Sequence, residues 1–357
     1  MNYQDFYTYN EILEQPDAFK HIISNMEGNI DPVVEKLKEK EVETIILTGC
    51  GTSYYAGISA SMLLNILTDI KGFAIPASEV NYFTFKAFEN KTAVISLSRS
   101  GETTETVLAN RRAKKLGFLT IGITNNPTST LAKEADYSIY LDIGEEKSIV
   151  MTKTFSSLLL VSMLVAIKLA DLKQNAIGQK LLEEIHKIPD IATSILKKKD
   201  EIEKMATDFV RYNHFVVLGT GPNYGVALEG ALKIKETNYI ATEAFSTLEF
   251  RHGPMAMVDE KLVVIGLIPE SKRYNDEIAV INEIADRGGR ILLVTNAKAE
   301  KVPNRFVIDF PSLHEYLTPI INIIPMQLLA FCMCVKRGYN PDKPRHLTKV
   351  VKLKKEE

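Results

Sequence analysis

The sequence has 357 residues, 45% of them hydrophobic and 25% charged, which suffices for two globular domains that each bury a core. A formal net charge of −2 excludes a chain whose overall field recruits nucleic acid or an anionic membrane, so any anion must be held by a local site. No secretion signal opens the sequence, no apolar run is expected to cross a bilayer, and the three cysteines lack zinc-site spacing. We therefore expect a reduced, cytoplasmic chain without a metal, an organic cofactor, a nucleic-acid partner or a membrane partner.

The first half of the chain alternates helices with apolar strands. The pattern predicts helix 32–40, strand 44–48, helix 54–67, strand 93–97, helix 104–115 and strand 119–123. Strands that alternate with helices are typical of a parallel sheet covered on both faces. The prediction is an α/β fold of the flavodoxin or Rossmann type, with a sheet between two layers of helices.

The second half repeats this plan. A second strand and glycine loop, 216–221, follows the first by about 170 residues, and helix 224–236, strand 262–267, helix 276–286 and strand 291–294 come after it. This spacing indicates a duplicated domain. The predicted organisation is an N-terminal segment 1–30, a first domain 31–180, a second domain 200–340 that ends in helix 319–336, and a C-terminal tail 341–357. A helix-rich stretch, 181–204, connects the two domains.

Hydroxyl side chains and glycines cluster after two strands of the first copy. The candidate substrate-binding residues there are Gly51, Thr52, Ser53, Ser98, Arg99, Ser100 and Thr103. Ligands bind parallel sheets at the carboxyl ends of the strands, where helix N-termini attract anions. Arg99 could add a charge-assisted contact. The cluster predicts a phosphate site.

Other interpretations of these loops stay open. Ser100 with Glu102 or Thr103 would cap a helix in any protein, although the equivalent turn of the second copy, 268–272, lacks the hydroxyl cluster. A dinucleotide site is the other interpretation, but the third glycine of its fingerprint is displaced in both copies. No Gly-Lys-Ser/Thr follows either glycine loop, which argues against a nucleoside-triphosphate site.

Helix 224–236 of the second copy carries three charged residues on one stripe. Glu229, Lys233 and Glu236 stand at positions i, i+4 and i+7, so Lys233 can pair with either carboxylate. Both a solvated ion-paired face and a buried acid–base site fit this spacing. His252 is a further acid–base candidate because histidine titrates near neutral pH, and an exposed or structural histidine fits its position as well.

Together these segments resemble the sugar isomerase (SIS) domain family, and within it the isomerase half of glucosamine-6-phosphate synthases and the stand-alone SIS deaminases. The resemblance covers nearly the whole chain. It is carried in order by residues 11–16, 50–53, 98–103, 152–155, 227–236, 252–254 and 344–349.

The resemblance implies roles for these residues. Glu236 would move a proton between C1 and C2 of a sugar phosphate, and His252 would open the sugar ring. Lys349 would close over the substrate, while Glu229 and Lys233 would support the site. The substrate would be a phosphorylated hexose or hexosamine, and the active form a homodimer in which His252 comes from the neighbouring subunit.

Three features depart from the synthase pattern. A synthase carries an N-terminal glutaminase domain with a nucleophilic cysteine next to its start, whereas residue 2 here is Asn2. Arg99 replaces a glutamine of the synthase loop, and the stretch 146–151 differs. We therefore expect a hydrolase that converts glucosamine 6-phosphate and water into fructose 6-phosphate and ammonia. The alternatives are a fructosyl-amine-6-phosphate deglycase, the isomerase component of a synthase, and a non-catalytic sugar-phosphate sensor. A nucleotide-dependent oxidoreductase lacks its complete fingerprint.

Overall fold

A computed structural model describes residues 2–83, 88, 91–299 and 305–351. The chain forms two compact units, each containing one five-stranded parallel sheet. The first-sheet unit consists of residues 17–146, residues 153–186 and the C-terminal residues from Thr348. The second-sheet unit consists of the N-terminal residues up to Pro16, residues 147–152 and residues 187–347.

The helices and strands follow one another in a regular order. Before the first sheet come α1 (Tyr7–Leu13), α2 (Gln15–Ser24), α3 (Met26–Asn29) and α4 (Asp31–Glu39). The first sheet and its helices are β1 (Thr44–Gly49), α5 (Thr52–Leu67), β2 (Lys71–Pro76), α6 (Ala77–Tyr82), β3 (Thr92–Ser98), α7 (Thr104–Lys115), β4 (Leu119–Thr124), α8 (Thr130–Glu134), β5 (Tyr137–Tyr140), α9 (Lys153–Asp171) and α10 (Ala176–Glu184).

The second half continues with α11 (Ile188–Leu196) and α12 (Lys199–Phe209). The second sheet and its helices are β6 (His214–Gly219), α13 (Asn223–Asn238), β7 (Thr242–Phe245), β8 (Leu262–Leu267), α14 (Tyr274–Asp286), β9 (Arg290–Thr295), β10 (Arg305–Asp309) and α15 (Thr318–Lys336). Short 3-10 helices span Tyr3–Asp5, Ile185–Lys187, Leu248–Arg251 and Pro254–Met257.

The two sheets share one topology. The strand order is β2-β1-β3-β4-β5 in the first and, read from the matching edge, β7-β6-β8-β9-β10 in the second. All neighbouring strands are parallel. The chain therefore reverses its direction of travel across the sheet between β1 and β3, and again between β6 and β8. The predicted α/β fold and its duplication are confirmed.

All of the predicted helices and strands are present. They could be predicted because the inner strands and their helices carry strong apolar patterns. Strands β1, β3 and β8 are buried at every position. The sequence analysis did not identify the outer strands β2, β5, β7 and β10 or the long helix α9.

We expected no apolar run long enough to cross a bilayer, and this expectation was wrong. Two helices have the length and the apolar composition of a membrane span. Helices α9 and α15 have 19 residues each, and their most apolar windows reach mean hydropathies of 1.6 and 1.8. Inside the folded protein, 89% of the α9 window and 94% of the α15 window are buried. Their apolar character is accounted for by burial in the cores of the two units, as in the central helices of globular proteins.

Candidate functional site

The first candidate site lies at the carboxyl ends of β1 and β3. These two strands are neighbours in the sheet, so the loops that follow them lie side by side at the point where the strand order reverses. Open α/β sheets bind ligands at such a reversal. Gly51 has φ +52°, and Thr52 and Ser53 then begin α5 as buried residues.

Hydroxyl groups shape the loop after β3. The Ser98 hydroxyl accepts a hydrogen bond from the Gly101 N–H at 3.0 Å, and the Ser100 hydroxyl accepts one from the Glu102 N–H at 3.1 Å. Thr103, which precedes α7, makes no side-chain capping bond. The hydroxyls of Ser98 and Ser100 thus support the turn itself and do not cap α7. Phosphate binding by this loop stays a prediction.

Glu102 extends the loop toward the next helix. Its carboxylate accepts hydrogen bonds from the backbone N–H of Thr130 at 2.7 Å and from the Thr130 hydroxyl at 2.9 Å. Thr130 is the first residue of α8, so Glu102 places a negative charge where a helix N-terminus favours one. This contact ties the loop to the rest of the first-sheet unit.

Arg99 is engaged in a buried ion pair. Its Nη1 lies 3.0 Å from Glu146 Oε2, and the two side chains are 9% and 0% exposed. Nη2 donates to the backbone carbonyl of Lys349 at 3.1 Å. The loop after β3 is therefore joined to the C-terminal residue that the sequence analysis proposed as catalytic. A contact between Arg99 and a phosphate stays a prediction.

Lys349 lies in an irregular segment. Its side chain is 40% exposed, and its Nζ is 3.7 Å from Glu145 Oε1, which belongs to a residue that is itself 69% exposed. Exposed pairs of this kind contribute roughly 0–1 kcal/mol. The lysine side chain can therefore move, while its backbone is held by Arg99.

The second candidate site lies on α13, which directly follows β6. Lys233 Nζ lies 3.0 Å from Glu229 Oε1 and 2.7 Å from Glu236 Oε2. The side chains of Glu229 and Lys233 are 0% and 2% exposed, whereas that of Glu236 is 18% exposed. The stripe is thus a buried cluster and not a solvated face.

Electrostatics keep Lys233 charged despite its burial. Burial by itself lowers the pKa of Lys233, but the attraction of Glu229 and Glu236 and their hydrogen bonds outweigh it and raise the pKa above its ordinary value. An ammonium group thus lies between the two carboxylates. Lys233 fixes the position of Glu236, and Glu236 remains the accessible member.

His252 lies at the end of the 3-10 helix Leu248–Arg251 in the second-sheet unit. Its backbone N–H donates to the Glu249 carbonyl at 2.9 Å, and the residue is exposed. Gly253, next in the chain, has φ +119°, a conformation that favours glycine. The turn presents the imidazole to solvent, and its catalytic role stays a prediction.

The reversal point of the second sheet is built differently. After β8 the turn leads to Arg273, whose Nη2 lies 2.6 Å from Glu315 Oε2. Glu277, in the first turn of α14, is 1% exposed, and burial raises its pKa despite a hydrogen bond from Thr220. A carboxyl group thus occupies the second copy where hydroxyls occupy the first, and the two copies do not carry the same chemistry.

Besides Glu277, sequence reasoning missed two further buried carboxylates. Glu146 pairs with Arg99 and also accepts a hydrogen bond from the Thr154 N–H at 3.0 Å. Glu11 accepts hydrogen bonds from the backbone N–H of Lys147 and from the N–H and hydroxyl of Ser148. A single acidic residue in a loop or short helix has no periodicity that would reveal its burial.

In the described residues, the other reactive groups form neither an activated thiol nor a metal site. Burial raises the pKa values of the Cys332 and Cys334 thiols to about 12, which makes them poor nucleophiles. Within the described parts of the chain, no three His, Cys, Asp or Glu side chains form a group that could hold a metal ion.

Comparison with known proteins agrees with this architecture. The glutamine–fructose-6-phosphate aminotransferase (isomerizing) of Pyrococcus horikoshii is 36% identical over 350 residues, which make up 97% of this chain and 58% of that protein. The chain thus spans little more than half the length of this relative.

Two solved structures are similar at 30% identity. The C-terminal domain of glucosamine-fructose-6-phosphate aminotransferase from Francisella tularensis has a TM-score of 0.88, with 95% of this chain and 98% of that chain covered. Glucosamine-6-phosphate deaminase from Thermotoga maritima has a TM-score of 0.78, with 97% and 99% covered. The SIS domain matches residues 38–168 and 208–337, one match for each sheet, and the chain therefore belongs to the SIS domain family.

Proposed function

We propose that this chain is a phosphosugar isomerase that deaminates glucosamine 6-phosphate. Water is the second substrate, and fructose 6-phosphate and ammonia are the products. The observation that carries the proposal is the buried Lys233 between Glu229 and Glu236 on α13. A base that moves a proton between adjacent carbons must be held in one position and still reach its substrate. Glu236 combines a fixed partner with 18% exposure, which suits that task.

The reaction requires only acid–base steps at the substrate. His252 would donate a proton to the ring oxygen and open the ring to the aldehyde. Glu236 would then take the proton from C2 and deliver it to C1. The C1 oxygen gains a proton and the C2 nitrogen gives one up, so the aldehyde becomes a hydroxymethyl group and the C2 amine becomes an imine. Water adds to that imine, the carbon–nitrogen bond breaks, and ammonia leaves. Each such proton transfer contributes roughly 10²–10⁴-fold to the rate.

The phosphate group would be held by the loops after β1 and β3. The small residues Gly51, Thr52 and Ser53 and the hydroxyl loop around Ser98 and Ser100 supply close backbone approach at a sheet reversal point. Lys349 would act at the substrate from the C-terminal segment that Arg99 holds.

Two departures from the synthase pattern support deamination over synthesis. Arg99 and the stretch 146–151 are the two internal departures from the synthase pattern, and they meet in the Arg99–Glu146 ion pair. A structure named a glucosamine-6-phosphate deaminase is similar at 30% identity, so the fold is compatible with deamination.

The test measures ammonia and fructose 6-phosphate together after incubation with glucosamine 6-phosphate. We expect equal amounts of both, and a loss of roughly 10²–10⁴-fold in kcat for Glu236→Gln with sugar-phosphate binding nearly unchanged. The matched control is Glu243→Gln, an exposed carboxylate in β7 that should keep wild-type turnover. Loss of binding by Glu236→Gln would contradict its role as the base.

Other outcomes would assign the chain elsewhere. Formation of glucosamine 6-phosphate only in the opposite direction, from fructose 6-phosphate and ammonia, would indicate the isomerase component of a synthase. Release of amine from a fructosyl-amine 6-phosphate alone would indicate a deglycase. Tight binding without turnover of any of these compounds would indicate a sensor.

A further inference from the structure

We infer that Arg99 is a positioning residue that holds the C-terminal segment around Lys349 at the phosphate loop. This inference rests on the proposed function, in which Lys349 acts on the substrate. Arg99 directly follows Ser98, the last residue of β3. One nitrogen of its guanidinium donates to the Lys349 carbonyl at 3.1 Å, and another pairs with Glu146 at 3.0 Å.

Glu146 makes this arrangement rigid. Its Oε2 contacts Arg99 while its Oε1 accepts a hydrogen bond from the backbone N–H of Thr154, in the first turn of α9. Both charged side chains are at least nine-tenths buried, where charge-assisted hydrogen bonds are strong and the planar guanidinium has a fixed geometry. One buried group therefore joins the loop after β3, the start of α9 and the C-terminal segment.

In the segment that Arg99 holds, the side chain of Lys349 is less restricted than its backbone. Lys349 lies outside helices and strands and faces Glu145 at 3.7 Å in an exposed pair. A fixed backbone with a mobile side chain suits a lysine that must approach a substrate and then withdraw. Arg99 thus positions the backbone of Lys349, and the lysine side chain contacts the substrate.

Neither glutamine nor lysine can replace the guanidinium in full. A glutamine amide carries no charge to balance Glu146, and a lysine ammonium lacks the planar pair of donors that reach a carboxylate and a carbonyl at once. Arg99→Gln should therefore release the segment, and Arg99→Lys should release it in part.

The first test is trypsin cleavage after Lys349 without substrate, followed by mass spectrometry. The bond that trypsin cuts there contains the carbonyl that Arg99 holds, so cleavage reports directly on this contact. We expect cleavage about 10- to 100-fold faster in Arg99→Gln, the range of a lost hydrogen bond to a charged group, and an intermediate rate in Arg99→Lys. The matched control, Arg111→Gln, removes an exposed arginine that pairs with Glu134 and should leave the rate unchanged.

Arg99→Gln leaves the buried Glu146 without its charge partner, which threatens folding. The double variant Arg99→Gln/Glu146→Gln removes both charges and should fold while still releasing the segment. Unchanged cleavage after Lys349 in both variants would overturn the inference, whatever the enzyme turns over.

The second test is a double-mutant cycle on kcat with glucosamine 6-phosphate. We expect Arg99→Gln to lower kcat about 10- to 100-fold with little change in KM, and to lower it no further once Lys349→Ala is present. Multiplicative losses from the two substitutions would contradict action through Lys349. If the wild-type chain does not turn over this substrate, the proposed function fails, and the cleavage experiment still decides the role of Arg99.

Discussion

Gly101 has φ +64° in the middle of the hydroxyl loop, a backbone conformation that residues with side chains rarely adopt. A Cβ at this position would lie 2.1 Å from the Ser129 hydroxyl oxygen and 2.5 Å from the Ser129 Cβ. The loop thus approaches its neighbour so closely that only glycine fits. The shape of the proposed phosphate site depends on this one residue.

Gly101→Ala should therefore lower both stability and sugar-phosphate affinity. We expect a loss of about 2 kcal/mol or more in the free energy of unfolding, measured by urea titration, since backbone strain and overpacking each cost about 1–3 kcal/mol. Gly117→Ala is the matched control, because Gly117 has φ +79° and nothing within 4 Å of its Cβ position. Equal losses in the two variants would show that the contact with Ser129 contributes nothing.

The sequence predicted which residues belong to the candidate sites better than it predicted their burial and their ion-pair partners. The spacing of Glu229, Lys233 and Glu236 predicted that they share one face of a helix. The same spacing is compatible with a solvated face and with a buried one. Burial was decided by long-range packing, in which Gly230 of α13 lets the Met326 side chain of α15 approach closely. The pairing of Arg99 with Glu146 likewise joins residues 47 positions apart.

Among the elements, the inner strands were predictable and the outer strands were not. Each inner strand is an unbroken apolar run bounded by glycine or polar residues, such as β8 at Leu262–Leu267. The outer strands β2 and β7 mix buried with exposed positions, and β5 and β7 have four residues each. Short, half-exposed strands lack the periodic signal on which sequence prediction depends.

Helix α9 illustrates the opposite difficulty. Seventeen of its positions, from Lys153 to Ala170 with the exception of Lys168, are buried, so its residues show little amphipathic alternation. A helix that is apolar on all sides resembles a membrane span by composition. Only the packing of α5, α4 and α10 around it identifies α9 as the core helix of the first-sheet unit.

At the scale of the whole molecule, the two units share one strand topology but have different functional groups at their reversal points. Both sheets have the same strand order, yet hydroxyls and glycines lie at the reversal point of the first and Arg273, Glu277 and Glu315 at that of the second. The family and the fold could be predicted from motifs spread along the chain. The division of labour between the copies depends on individual residues.

The resemblance implies a homodimer in which each site receives His252 from the neighbouring subunit, and this expectation can be tested with mixed subunits. Glu236→Gln and His252→Asn should each lose roughly 10²–10⁴-fold in activity alone. After dissociation and reassociation of an equal mixture, about half of the expected dimers should contain one subunit of each kind, and one site of each such dimer has both groups intact. Equal mixing into two-fold symmetric dimers should restore about a quarter of the wild-type activity.

The exposure of His252 makes it available for such sharing. Light scattering on the mixture, together with the ammonia assay, would establish whether dimers form and work. Full inactivity of a mixture whose subunits have exchanged would contradict a shared site and would place His252 and Glu236 of one subunit at the same substrate.

The most direct test of the proposed reaction follows the hydrogen at C2 of the sugar. Glucosamine 6-phosphate carrying deuterium at C2 is incubated with the protein in ordinary water, and the fructose 6-phosphate formed is examined by NMR. If Glu236 takes the proton from C2 and delivers it to C1, part of the deuterium appears at C1 with the wild-type chain, and Glu236→Gln forms product roughly 10²–10⁴-fold more slowly. Fructose 6-phosphate formed by Glu236→Gln at the wild-type rate would contradict proton transfer by Glu236.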